Sequence, residues 1–158
     1  MNLKSHISLY WEEIKGRRRG KKNLEHVKQF ITSSQKTLEV LSKLSIEQHK
    51  KIALIVDEVT KYCSSILLLR EDQIVAITQS IPQMETHLSN INCILKELKF
   101  SHPFYYFRTS IGLICHKLYL KKIYKDLNTY NEEISIYKEA LTICKEFKRR
   151  LQFYLSFE

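Results

Sequence analysis

The chain has 158 residues, of which 44% are hydrophobic and 27% charged, and a formal net charge of +9. That length suits one domain with a core of its own, and the apolar content excludes a disordered or low-complexity chain. Only three Gly and two Pro punctuate the whole sequence, too few for the tight turns of a hairpin-rich sheet, so the expected class is all-α. The expected architecture is a single domain over residues 1–158, an antiparallel helical bundle or an elongated helical hairpin with coiled-coil-like seams.

Leu3, Ile7, Tyr10, Trp11 and Ile14 recur at steps of one helical turn and predict a short N-terminal helix over 3–15. Gly16, Arg17, Arg18, Arg19, Gly20, Lys21 and Lys22 follow, and two glycines among five like charges predict an exposed basic loop over 16–22. From Asn23, an N-cap residue, Leu24, Val27, Ile31, Ser34, Leu38 and Leu41 form a heptad seam. It opens a long or kinked helix over 23–80, with a fresh start near Ser45, where Ser45 and Gln48 have the spacing of a capping box.

Ile52, Ile55, Val56, Val59, Cys63, Ile66, Leu67, Ile74 and Ile77 make the next stretch the central core helix. Pro82 lacks the backbone donor that a helix interior needs, so a helix end near Ser80 and a second helix over 82–100 are expected. Its seam is Met84, Leu88, Ile91, Leu95 and Leu98. A turn is expected at Ser101, His102 and Pro103, followed by a long or kinked helix over 103–157. Its stripe runs Phe107, Ile111, Ile114, Leu118, then jumps five residues to Ile123, Leu127, Tyr130, Ile134, Tyr137, Leu141 and Cys144. The jump predicts a bend or a rotated seam, and Thr129 with Glu132 marks the place for a break.

Enzyme signatures are missing. The sequence holds no Glu-x-x-His pair, no phosphate-binding glycine loop and no nucleophile elbow. Cys63, Cys93, Cys115 and Cys144 never form a C-x-x-C pair, and they read as small reduced core residues. Cys115 and His116 are sequence neighbours, which a helix turns about 100° apart. No catalytic, cofactor-binding or metal-ligating residues are therefore assigned, and a non-enzymatic protein is expected.

The polar N-terminus, the lack of an N-x-[ST] sequon and the shortness of the apolar runs predict an intracellular protein, cytoplasmic or nuclear, without a membrane span.

The aromatics point to partners. Phe104, Tyr105, Tyr106 and Phe107 fill one helical turn and cannot all enter one core, and Phe153, Tyr154 and Phe157 crowd the C-terminal end. The expected function is a protein–protein interaction or scaffold subunit of a multi-subunit assembly. It would bind other helical chains, in a hetero-complex rather than a homo-oligomer, with Trp11, Tyr105, Phe107, Phe153 and Tyr154 as anchors.

The alternative is a nucleic-acid or acidic-filament binding module built on Arg17, Arg18, Arg19, Lys21 and Lys22. Net charge is +7 over residues 1–51 (12 basic against 5 acidic), −2 over 52–102 and +4 over 103–158. Lys117, Lys121, Lys122 and Lys125, with Lys145, Lys148, Arg149 and Arg150, would extend a basic surface.

Overall fold

A computed structural model describes residues 3–156, with side chains described for 19–99 and 102–156. The described residues are helical and contain no strand: α1 spans Leu3–Val40, a single 3₁₀ turn spans Leu41–Lys43, α2 spans Ile46–Ser101 and α3 spans Pro103–Leu155. The chain divides into two compact units, one of Met1–Leu67 with Ser135–Glu158, the other of Leu68–Ile134.

Helix α1 runs without interruption through residues 16–22, so the expected basic loop is corrected to helix. Ending a helix strands four carbonyls and four N–H groups, whereas a glycine in its interior costs only about 1 kcal/mol relative to alanine. Arginine and lysine are themselves good helix formers, and their repulsion is screened in water.

The break comes at Leu41 instead. Leu44 donates to the Leu41 carbonyl at 3.2 Å and turns the chain into extended backbone. The expected capping box closes there: Ser45 N–H donates to Gln48 Oε1 at 2.9 Å and Gln48 N–H to Ser45 Oγ at 3.3 Å.

Pro82 does not end α2. It stands on an exposed face, where the carbonyl it leaves without a donor can be hydrated, while Ile81 beside it is buried. Nor does α3 break at residues 128–132, where Thr129 Oγ1 donates back to the Lys125 carbonyl at 3.0 Å.

In the first unit α1, α2 and α3 share one core. Phe147, Leu41, Val56, Cys63 and Cys144 are its largest fully buried side chains, each apolar one contributing roughly 1.5–3 kcal/mol of transfer free energy. Val27 and Ser34 of α1 and Leu41 of the 3₁₀ turn, which share the expected seam, are all buried. Ser34 tolerates burial because its hydroxyl donates to the Phe30 carbonyl at 2.6 Å.

The second unit is an antiparallel hairpin of α2 and α3, turning at His102. Facing pairs run in opposite directions along the two helices: Arg70 with Glu133, Glu85 with Tyr124, His87 with His116. Leu88 and Leu95 of α2 pack with Leu113 of α3, flanked by Ile91, Tyr106 and Leu120. Near its other end, Arg70 donates to Glu133 at 2.7 Å with its guanidinium 4.5 Å from the Tyr130 ring centroid, a partly buried ion pair with a cation–π contact.

Candidate interaction surface

Helix α3 of the second unit carries two apolar stripes. Tyr106, Leu113 and Leu120, at heptad steps, face α2. Phe104, Phe107, Ile111, Ile114 and Leu118 form a second heptad series on the other side, and their exposures are 73%, 65%, 48%, 57% and 62%. The five-residue jump after Leu118 is where the apolar pattern changes from the outer stripe to the inner one, since Ile123, Leu127 and Tyr130 are half-buried. The helix continues through the jump and carries two stripes.

Phe104 to Leu118 cover about 21 Å of helix at 1.5 Å per residue. The charged residues of this stretch are all basic. From Pro103 to Lys125 the sequence holds Arg108, Lys117, Lys121, Lys122 and Lys125 and no Asp or Glu.

The anchors named from sequence separate on this structure. Tyr105 and Phe107 are exposed at the start of α3. Phe153 is exposed near the end of α3, edge-on to Tyr154 at 5.5 Å between centroids. Tyr154 is half-buried and stacks on His49 at 4.9 Å, so it belongs to the first unit's own packing. The side chain of Trp11 lies outside the described residues, as do those of Arg17 and Arg18. Arg19, Lys21 and Lys22 are exposed on α1, spread around the helix by its 100° steps.

Ile111, Ile114 and Leu118 have the period of either stripe, and only their exposure distinguishes the two. Phe104 was visible as part of the aromatic turn.

In the second unit, His87 and His116 meet edge-to-face at 5.3 Å beside Met84, Leu88 and Tyr119, a lining with two imidazoles and a phenol but no carboxylate or thiol. Among the described residues no group of three His, Cys, Asp or Glu side chains is placed to hold a metal ion, and no helix is long and apolar enough to cross a membrane.

Perturbed groups lie elsewhere. Burial pushes the Cys63 thiol up to about 11, with Cys144 adding to it, and burial also raises Cys144. Hydrogen bonds from Arg149 and Arg150 hold Glu146 down at about 2, and Lys148 lowers Asp57 from 2.7 Å away.

Comparison with protein-family models, curated proteins and solved structures gives no match for the chain. The reading of this surface rests on its own geometry.

Proposed function

We propose that the chain is a non-enzymatic interaction subunit that binds another protein by packing helices, with the outer stripe of α3 as the docking face. The observation that carries this reading is the five-residue heptad series Phe104, Phe107, Ile111, Ile114 and Leu118, exposed along a helix whose other side is already packed. A patch of that kind is costly to leave in water, and a stripe at coiled-coil spacing fits a partner helix. Phe104 and Phe107 supply aromatic anchors on this face, of the kind that dominate interface energies, while Tyr105, about 100° round the helix from Phe104, lies off the stripe.

The test is a photo-crosslinking amino acid at Ile111 of the full chain, with capture and mass spectrometry. A discrete crosslinked protein, lost when Ile114 and Leu118 are replaced by Ser, supports the reading; crosslinks unchanged by those replacements overturn it. A nucleic-acid or acidic-filament role for Arg17, Arg18, Arg19, Lys21 and Lys22 predicts binding that falls steeply with salt, which the apolar face does not. Only the exposure of Arg19, Lys21 and Lys22 favours that second reading.

A further inference from the structure

We infer that the occupant of the α3 stripe is an amphipathic helix of another protein whose flanking positions are acidic. This rests on the docking role proposed above and adds the partner's chemistry to it. With Phe104, Ile111 and Leu118 at heptad position a and Phe107 and Ile114 at d, the e positions are Arg108, Cys115 and Lys122 and the g positions are Ser110, Lys117 and Tyr124. Those flanking positions set partner choice in helix pairs, and their three charges here are all positive. Arg108, Lys117 and Lys122 are exposed. The next d and a positions, where a longer seam would continue, are Lys121 and Lys125, so the apolar register closes in lysine.

A second copy of this chain is the less fitting occupant. Two such stripes face to face would set Arg108, Lys117 and Lys122 against one another in either orientation, and like charges across a helix interface repel. A partner with Glu or Asp at those flanks converts each repulsion into attraction.

An anionic bilayer would also take a basic, apolar helix face. It calls for a broad apolar arc, whereas the a and d positions here form a narrow stripe with Arg108 and Lys122 on one side and Lys117 on the other, the shape that interlocks with a second helix.

The test uses the full chain and three designed four-heptad peptides with the same Leu and Ile seam, carrying Glu, Gln or Lys at every e and g position. Binding is read by fluorescence anisotropy. The Glu peptide is expected to bind roughly fivefold more tightly than the Gln peptide at low salt, from three flanking ion pairs, and the Lys peptide more weakly still. The preference disappears in high salt and passes to the Lys peptide in R108E/K117E/K122E.

Equal binding of the three peptides, abolished by Ile111→Asp, overturns the acidic partner while leaving the docking face standing. Binding unaffected by Ile111→Asp overturns both. Failure of every peptide, combined with Ile111-dependent sedimentation on phosphatidylserine vesicles, assigns the face to a membrane and overturns the inference. Dimerisation of the chain that Ile111→Asp abolishes assigns it to a second copy and does the same.

Discussion

Ile111 and Leu113 stand two residues apart on α3 and point to nearly opposite sides of it: Leu113 is 8% exposed against Leu88 and Leu95, and Ile111 is 48% exposed. Two helical residues turn the side chain by about 200°, so this one pair reports both stripes. Replacing Leu113 with Ala is expected to destabilise the chain by about 2–4 kcal/mol, through lost transfer energy and an unfilled cavity. Replacing Ile111 with Ser should cost clearly less, about 1 kcal/mol or below, because about half of its surface is already in water. Urea unfolding of the two variants checks this, and equal losses would mean that the outer stripe is core.

Gly112 lies between them in mid-helix, and a Cβ built on it meets nothing within 4 Å. Gly112→Ala should therefore stabilise the chain by about 0.5–1 kcal/mol, since alanine loses less backbone entropy on folding and no neighbour has to move. A higher denaturation midpoint at unchanged slope is the expected observation. A lower midpoint would show that some partner or copy of the chain approaches the backbone at this point.

The helices, the Ser45–Gln48 cap and the turn at residues 101–103 could be read in advance because each rests on local chemistry. The choice between the two α3 stripes could not. Periodicity places Ile111, Ile114 and Leu118 on one face without saying whether that face meets α2 or water. Pro82 and Gly16 to Lys22 are a related case: local propensities argue for a break at about 1–3 kcal/mol each, which the continuing backbone ladder outweighs. Tyr154 looked like a terminal anchor because nothing in sequence announces a buried histidine more than a hundred positions away.

That histidine closes the corner between α1 and α2. His49 Nε2 donates to the Leu41 carbonyl at 2.8 Å, which fixes the proton on that nitrogen, and its buried Nδ1 has no hydrogen-bond partner. The ring stacks on Tyr154 at an interplanar angle of 15°. His49→Ala is expected to cost about 2 kcal/mol by losing this packing and the donor to a buried carbonyl. In a double-mutant cycle with Tyr154→Ala the two losses should overlap by about 0.5–1 kcal/mol, and strict additivity would argue against the stack.

Thiol chemistry reads the same fold from another side. Cys63 and Cys144 are buried and Cys93 and Cys115 exposed. Burial raises the pKa of both inner thiols, so few thiolates form there and reagents cannot reach them. Ellman's reagent on the native chain should therefore titrate two thiols quickly, Cys93 and Cys115, and the other two only in denaturant. A third fast thiol that Cys63→Ser removes would show that the core of the first unit opens readily.

Glu146 accepts hydrogen bonds from both Arg149, at 2.9 and 3.0 Å, and Arg150, at 2.6 Å, while Arg150 also donates to the Leu38 carbonyl of α1 at 3.2 Å. The two guanidiniums stabilise the carboxylate and lower it from 4.5 to about 2 in the folded chain. A folded value below the unfolded one means that the contribution is fully present above about pH 4.5 and is lost as the pH falls through about 2. Stability should thus decline over that window, and Glu146→Gln should flatten the decline and lower stability at neutral pH. Because the group is solvent-screened, both effects should shrink as salt is added. An acid-unfolding curve that Glu146→Gln leaves unchanged would show that the Arg149–Glu146–Arg150 cluster does not link α3 to α1 in solution.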